Sequence, residues 1–250
     1  MYGVGFVMDK LAVLLLVVVV VAVVLGGVIY YLSMSGTSGA STATVTTTTT
    51  TLTTTELSSV EVEAIKYMAE EEKLAYDVYT RLAQMYPDVP VFANIAESEE
   101  THVNAVLFLA EKYHISIELG EPGVYNNTHI QELYDQLISM GSKSLEDALK
   151  VGALIEETDI KDLQDWIVKV QHDDIKQVFE CLMMGSRNHL RAFTSTLEKM
   201  FGIEYQPQVI SIEEYEQIIN SAMETGGTEC SALRIDLEIN ATTARAYGKQ

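Results

Sequence analysis

A glutamate and a histidine interrupt an otherwise apolar helical face in the segment from Phe92 to Tyr113; they are Glu99 and His102. The E-x-x-H spacing makes both side chains leave a helix on the same face, one turn apart. Hydrophobic residues recur on that face at helical spacing, which predicts that it packs into a core. Without a strong partner, a carboxylate and an imidazole in a core would cost several kcal/mol or titrate to neutral forms. We therefore interpret the pair as metal ligands.

A carboxylate also interrupts the apolar face of the helix predicted before this segment. That helix begins with a capping-box sequence at Ser58 and ends before Pro87. Its hydrophobic stripe breaks at one turn, where either Glu71 or Glu72 must stand. Glu72 fits the helical period better, so we predict that Glu72 points into the core.

Two later helices place ligand-type groups on their apolar faces in the same way. In the third long helix, Glu156 takes a core position and Asp159 follows one turn further along. Glu157 lies at the border of that stripe and is the less favoured inward group. His189 takes a core position in the helix predicted from about 173 to 201. The predicted metal ligands are therefore Glu72, Glu99, His102, Glu156, Asp159 and His189.

This set of side chains defines the expected cofactor. Carboxylates combined with two imidazoles suit iron or manganese. When such groups project inward from four helices, they match the two-metal carboxylate sites that are built inside helical bundles. The sequence therefore predicts iron or manganese, with two ions, and it indicates no catalytic residue beyond the ligands.

The charge balance excludes one class of partner. Asp and Glu outnumber Lys and Arg by 36 to 16, which gives a net charge of −20. Nucleic acid is not expected as a partner, because phosphate binding needs clustered basic residues.

The two cysteines, Cys181 and Cys230, are too few for a disulfide framework. Cys181 lies in an apolar helical context typical of a core residue, and a disulfide between the two stays open.

The elements that carry these residues are all helical. Four long amphipathic stripes lie within one segment, and a short helix from about 129 to 140 belongs to the long connection between the second and third of them. The sequence therefore predicts an all-α protein, a four-helix bundle with a long connection between its second and third helices.

An uncharged apolar run from Leu11 to Leu32 precedes the bundle. A helix of this length spans a bilayer core of about 30 Å, so we predict one transmembrane helix. A cleaved signal peptide is the alternative, although its apolar region is usually shorter. Lys10 is the only basic residue before Lys66, which weakly favours a cytoplasmic N-terminus and an extracytoplasmic bundle.

A threonine-rich tract, ATVTTTTTTLTTT, separates the apolar run from the bundle and is typical of a surface stalk. An unmodified flexible tether would serve the same purpose. The predicted domains are an anchor (1–35), a Thr-rich linker (36–56), a bundle (57–205) and a C-terminal tail (206–250) with one more short helix near Ile212.

Four ordered segments carry a family resemblance: EEEKLAYDVY, NIAESEETH, VGALIEETDI and GSRNHLRAF. They resemble the signature segments of a ferritin-like family, domain of unknown function 2202, over about residues 60–201. Glu72-x-x-Ala75-x-x-x-Tyr79 and Glu99-x-x-His102 are more distantly similar to the first two helices of rubrerythrin and ferritin. The resemblance implies that Glu72, Glu99 and His102 are metal ligands.

One departure from that pattern concerns the fourth helix. The ferritin-like pattern expects a glutamate near the histidine, but Gly185, Ser186 and Arg187 precede His189 here. Asp159 of the third helix is the candidate for the missing carboxylate. Without it, the site would bind one metal ion well and a second one poorly.

Three functions remain open at this stage. The first is a membrane-anchored oxidoreductase or peroxidase whose di-iron or manganese–iron centre reacts with peroxide or dioxygen. The second is a non-catalytic metal-binding protein on the cell surface, and the third is a structural bundle whose polar groups pair with each other. The sequence contains no C-x-x-C pair, so an enzyme would need an external electron donor. A homodimer stays open.

Three further residues have two interpretations each. Arg187 and Arg191 either hold the site carboxylates or are surface charges. Tyr79 is expected to serve core packing rather than redox chemistry. Each metal-bound histidine would need an acceptor for its other ring nitrogen, and the sequence does not identify one.

Overall fold

The computed structural model describes residues 56–225 and Cys230. Within that part, the chain forms only helices and no strand, so the all-α prediction is confirmed. The helices are α1 (Ser59–Met85), α2 (Pro90–Lys112), α3 (Thr128–Gly141), α4 (Leu145–Ile167), α5 (Asp173–Phe201) and α6 (Ile212–Ile219). All six lie in the second of the two units into which the chain divides, Met1–Glu56 and Leu57–Gln250.

The predicted transmembrane helix and the Thr-rich linker lie outside the described residues. Among the helices that are described, none is long and apolar enough to cross a membrane. The predicted domain boundaries therefore stay predictions.

Side-chain caps start the helices where the sequence indicates. The Ser58 hydroxyl accepts a hydrogen bond from the Glu61 amide at 3.2 Å, and the Glu61 carboxylate accepts one from the Ser58 amide at 2.9 Å. This is the predicted capping box. The Ser144 hydroxyl caps α4 by accepting a hydrogen bond from the Asp147 amide at 3.0 Å, and Pro90 occupies the first turn of α2. α5 ends at Gly202, whose φ of 67° suits a residue without a side chain.

The four long helices pack around one core. α1 packs along α2 and α4 packs along α5, while α2 contacts α5 and α1 contacts α4. The predicted helical bundle is confirmed in this form. α3 lies within the long connection between α2 and α4 and packs on both α1 and α4.

One end of the bundle, which we call the apolar end, contains a continuous hydrophobic cluster. The N-terminal half of α1 and the C-terminal half of α2 meet the C-terminal part of α4 and the start of α5 there. Ile65, Leu109 and Phe179 are among its most deeply buried side chains. The other large members are Met68, Val106, Leu163, Ile175, Val178 and Leu182.

A buried ion pair fastens the long connection to the outside of α1. The Lys73 ammonium contacts the Asp77 carboxylate at 2.5 Å and donates to the Glu121 carbonyl at 3.0 Å. Asp77 also accepts hydrogen bonds from the Gly123 amide at 2.8 Å and the Tyr125 hydroxyl at 2.7 Å. Because every charge in this cluster is paired or hydrogen-bonded, its burial is tolerated and the loop is held in place.

The segment after α5 is fastened to α4 and α5. Arg187 and Arg191 both contact the Glu224 carboxylate, at 2.5 Å and 2.9 Å. Cys181 of α5 forms a disulfide with Cys230. The sequence left this disulfide open and favoured Cys181 as a free core residue. The pairing depends on how the C-terminal segment lies against α5, which helical periodicity does not encode.

Candidate metal centre

All six predicted ligands are buried within the bundle. α1 contributes Glu72, α2 contributes Glu99 and His102, and α5 contributes His189. The remaining two, Glu156 and Asp159, come from α4. Each has at most 9 % of its surface exposed. Five of the six form two groups whose ligand atoms lie within 4.8 Å of one another: Glu72, Glu99 and His102 in one, and Glu99, Glu156 and His189 in the other.

Glu99 belongs to both groups and divides its two oxygens between them. Its Oε2 lies 2.8 Å from Nδ1 of His102, and its Oε1 lies 2.7 Å from Nδ1 of His189. The two imidazole rings stack with their centroids 5.4 Å apart. A carboxylate placed between two histidines in this way could contribute one oxygen to each of the two groups.

The group that contains Glu72, which we call the first position, is completed from α1. Glu72 Oε2 lies 3.2 Å from Nδ1 of His102. The other oxygen, Oε1, is buried without a hydrogen-bond partner. A buried carboxylate oxygen that lacks a donor is costly in a metal-free protein, and a cation would satisfy it.

The group that contains Glu156, which we call the second position, is completed from α4. Glu156 Oε2 lies 3.5 Å from Nδ1 of His189. Nδ1 is close to Glu99 as well, yet it makes no hydrogen bond of acceptable angle. A short distance without hydrogen-bond alignment is what two atoms that converge on a common ion would show.

Asp159 lies beside the two groups without belonging to either. Its Oδ2 accepts a hydrogen bond from the Ser186 hydroxyl, and its Oδ1 is buried without a hydrogen-bond partner. Ser186 stands three residues before His189, where the ferritin-like pattern expects a glutamate. The structure therefore places the Asp159 carboxylate beside Ser186 of α5, and its role as the missing carboxylate stays a prediction.

Two neighbours orient ligands of the second position. The Tyr79 hydroxyl donates to Glu156 Oε1 at 2.5 Å, and the Tyr79 ring packs against Phe193 with centroids 5.0 Å apart. Tyr79 therefore serves the core packing that was expected of it and also holds a ligand. Ser98 Oγ lies 3.0 Å from Nε2 of His189. Ser98 is the acceptor that the sequence could not identify for this histidine.

The metal-free centre keeps its histidines protonated. Burial lowers the pKa of His189, but the negative charges of Glu99 and Glu156 outweigh burial and raise it to about 9. The pKa of His102 is likewise raised well above its usual value, because the charges of Glu99 and Glu72 outweigh its burial. Burial opposes ionisation of Glu99, yet both imidazolium rings hold its pKa well below the usual range.

The other carboxyls of the centre have raised pKa values. Burial, partly offset by His102, raises the pKa of Glu72 to about 7. Burial also raises the pKa of Glu156, against the opposing effect of His189. Burial and the charge of Glu72 raise the pKa of Asp159 well above its usual value. Without metal, burial therefore opposes ionisation of all three of these carboxyls.

Two glycines make room for these side chains. A Cβ atom on Gly185 would stand 2.5 Å from Nε2 of His102, and one on Gly152 would stand 2.6 Å from the Phe193 ring. A side chain at either position would displace a ring that touches the centre or supports it. Close approach to His102 therefore explains a glycine at position 185 of α5.

Sequence periodicity missed a second pair of buried carboxyls beside the centre. Glu71 is 5 % exposed, and Asp162 accepts a hydrogen bond from the Tyr67 hydroxyl at 2.8 Å. Burial and the charge of Asp162 raise the pKa of Glu71 well above its usual value. Asp162 lies one turn after Asp159, so its spacing indicated that it could face the same side of α4. Glu71 stands within a run of three glutamates, and periodicity alone did not separate it from its neighbours.

Glu157 and the two arginines act outside the centre. Glu157 is fully buried, but its Oε2 accepts hydrogen bonds from the amides of residues 208, 209 and 210, at 2.8, 2.9 and 3.2 Å. It therefore anchors the C-terminal segment and does not face the metal groups. Arg191 donates to the Ile218 carbonyl at 2.8 Å, and with Arg187 it holds Glu224 rather than a ligand.

The fold and the site together define a helical-bundle protein with two buried carboxylate–histidine groups that share one glutamate. Residues 61–222 match the family described as uncharacterized protein domain (DUF2202). The chain belongs to this family.

A relative and a solved structure extend the comparison. The chain is 51% identical over 172 residues to uncharacterized protein MJ0754 of Methanocaldococcus jannaschii, covering 68% of this chain and 92% of that protein. It also resembles the crystal structure of hypothetical protein MJ0754 from Methanococcus jannaschii DSM 2661, with a TM-score of 0.66 and 49% identity. That match covers 70% of this chain and all (100%) of the solved one. Neither name states an activity or a ligand.

Proposed function

We propose that this chain is a ferritin-like protein whose two buried groups hold two metal ions, either two irons or one manganese and one iron. The bound ions would react with peroxide or dioxygen. The observation that carries the proposal is the placement of Glu99. Its two oxygens lie 2.8 Å and 2.7 Å from the Nδ1 atoms of two different histidines. One carboxylate shared by two imidazoles suits two adjacent ions.

The side chains present fit such ions. Each position offers one imidazole and two carboxylates, a donor set that suits iron and manganese. Glu72 Oε1 and Asp159 Oδ1 are buried and lack hydrogen-bond partners, so a bound cation would remove a cost that the metal-free fold carries. When bound, such ions supply the one-electron and dioxygen chemistry that protein side chains lack.

The chain itself would position and shield the ions. Glu72, Glu99 and Glu156 supply negative charge and are at most 2 % exposed, so bulk water is kept from the carboxylates. The Ser186 hydroxyl donates a hydrogen bond to Asp159, whose carboxylate could serve as a further ligand. Metal binding must displace the protons that the histidines carry in the metal-free protein, because a ligating imidazole is neutral.

The proposal extends to the location of the protein. The apolar run from Leu11 to Leu32 supports an uncleaved membrane anchor, and the Thr-rich tract after it supports an extracytoplasmic bundle on a stalk. The sequence contains no C-x-x-C pair, so reducing equivalents would come from an external electron donor.

Metal analysis of the full-length protein tests the proposal. We expect about two iron or manganese ions per chain after purification without chelator, in line with the two groups. Peroxide should then be consumed when a reductant is supplied, and Glu99→Ala should lose both the metal and the turnover. A protein that binds no metal would support the purely structural function instead.

Metal binding without turnover would favour the second candidate, a non-catalytic metal-binding protein at the cell surface. The absence of a C-x-x-C pair in the sequence is the observation that favours it. Titration of metal-loaded protein with peroxide or dioxygen in the presence of excess reductant separates the two candidates, because a non-catalytic protein consumes no more oxidant than its bound metal ions can reduce.

A further inference from the structure

The two metal positions are supported unequally by the residues around them. At the second position, the His189 ring is held on both sides. Nδ1 faces Glu99 and Glu156, and Nε2 lies 3.0 Å from the Ser98 hydroxyl. When Nε2–H donates to Ser98, the ring becomes the tautomer whose Nδ1 lone pair is free for a metal ion.

The carboxylate of the second position is held as well. The Tyr79 hydroxyl donates to Glu156 Oε1 at 2.5 Å, so the other oxygen, Oε2, is the one that faces His189. Tyr79 is fully buried and its ring contacts Phe193. The hydroxyl therefore has little freedom to move away, and Glu156 stays oriented before any metal ion arrives.

The first position has no such support within the described part of the chain. His102 turns its Nε2 toward the backbone at Gly185 and makes no hydrogen bond through that atom to a described residue. Glu72 contacts His102 through Oε2, and its Oε1 lacks a hydrogen-bond partner. These two ligands are therefore held only by other members of the centre.

Asp159 does not remove the difference. It is hydrogen-bonded to Ser186, and its oxygens lie outside both groups of mutually close ligand atoms. To serve the first position, the Asp159 side chain would have to move toward it. Ligands that must rearrange bind a metal ion more weakly than ligands already in place.

We infer that the second position fills before the first and binds its ion more tightly, with Ser98 and Tyr79 acting as positioning residues for His189 and Glu156. This inference rests on the proposed metal-binding function. Partners of metal ligands typically contribute 10- to 100-fold to metal affinity, which sets the roughly expected size of the effect.

Titration of the metal-free, full-length protein with Co²⁺ under anaerobic conditions tests the order of filling. Cobalt absorption reports the ligand set of each bound ion and needs no turnover. The wild type should show two resolved binding steps. His102→Ala should keep the tight step and lose the weak one, whereas His189→Ala should lose the tight step.

Substitutions of the positioning residues test their roles. Ser98→Ala and Tyr79→Phe should each weaken the tight step by about 10- to 100-fold and change its absorption spectrum, while the weak step stays within about twofold. Ser98→Thr keeps the hydroxyl and should restore the wild-type titration. The matched control is Thr101→Ala, because Thr101 is an exposed hydroxyl residue on the same helix that donates only to the Glu97 carbonyl.

Two results would overturn the inference alone: two steps of equal affinity in the wild type, or an unchanged tight step in both Ser98→Ala and Tyr79→Phe. A wild type that binds no Co²⁺ would instead overturn the metal-binding function on which the inference rests. Thermal melting of each metal-free variant, monitored by circular dichroism, shows whether a lost step reflects a lost fold.

Discussion

The apolar end and the metal centre are built by the same four helices, but different forces hold them together. At the apolar end, Ile65, Leu109 and Phe179 are almost completely buried among other hydrocarbon side chains. Each such side chain contributes about 1.5–3 kcal/mol through burial. That contribution depends little on pH and needs no ligand.

The centre replaces such side chains with ionisable ones. Glu72, Glu99 and Glu156 are as deeply buried as the hydrophobic residues one or two turns away. Their burial costs free energy unless protons, imidazolium rings or metal ions balance the charges. The apolar end therefore supplies the stability that the centre requires.

The largest effect is expected from the apolar end. Phe179→Ala should lower the free energy of unfolding by about 3–5 kcal/mol, because it leaves a cavity in the hydrophobic cluster. Metal stoichiometry of the folded protein should not change. Urea denaturation and metal analysis measure the two quantities. A folded variant that had lost its metal would contradict the independence of the two regions.

At the centre, Glu99→Ala should act most strongly on metal binding. Both metal positions lose their shared ligand, so metal binding should be abolished or sharply weakened. The metal-free variant should also be less stable than the wild type near neutral pH, because two buried imidazolium rings lose the carboxylate that faces them both. Thermal melting with and without iron or manganese measures this.

In that experiment the wild type should gain about 2.7 kcal/mol per site at a hundredfold excess of metal over the dissociation constant, and the variant should gain little. An equal gain in both proteins would show that metal binds elsewhere.

The pH dependence should differ between the metal-free and metal-loaded protein. The folded-state pKa of His189 is about 9, against 6.5 for an unperturbed histidine. Its protonated form therefore stabilises the fold fully below pH 6.5 and loses this effect as pH rises to about 9. Burial raises the pKa of Glu72 from 4.5 to about 7, so its protonated form also stabilises the fold at acidic pH. That stabilisation is lost as the pH rises from 4.5 to about 7. The melting temperature of metal-free protein should fall from acidic toward alkaline pH.

Metal binding should respond in the opposite direction. Metal ions compete with the protons on His102 and His189, so metal affinity should rise over the range in which the metal-free protein loses stability. Binding titrations at several pH values measure this. In metal-free His189→Gln the stability should fall less with pH. A metal affinity that is independent of pH would argue against imidazole ligation.

The smallest effect compares two neighbours on α4. Glu156→Ala should lose the response of the melting temperature to metal, whereas Glu157→Ala should keep it. Glu157→Ala should instead lower stability by about 1–3 kcal/mol, because the amides of residues 208–210 lose their acceptor. If Glu157→Ala lost the metal response and Glu156→Ala kept it, Glu157 rather than Glu156 would be the residue of α4 that faces the metal.

Much of the fold, and the burial of the candidate ligands, was predictable from local patterns. The capping residues at Ser58 and Ser144 and the glycine at 202 mark helix ends through contacts within a few residues, which a sequence contains directly. Helical periodicity also separated Glu72 and Glu156 from their neighbours. A buried face repeats every 3.6 residues along a helix, whatever it packs against.

Contacts between distant segments were not predictable in this way. Glu71 and Glu157 are both buried although periodicity did not select them. Glu71 lies near Asp162 of α4, and Glu157 accepts hydrogen bonds from the segment at 208–210. Three other contacts likewise join residues far apart in the chain. They are the hydrogen bond from His189 to Ser98, the one from Tyr79 to Glu156, and the disulfide between Cys181 and Cys230. Periodicity determines which face of a helix is inward. The register between helices and the path of the C-terminal segment determine which atoms meet there, because those contacts depend on the packing of the whole bundle.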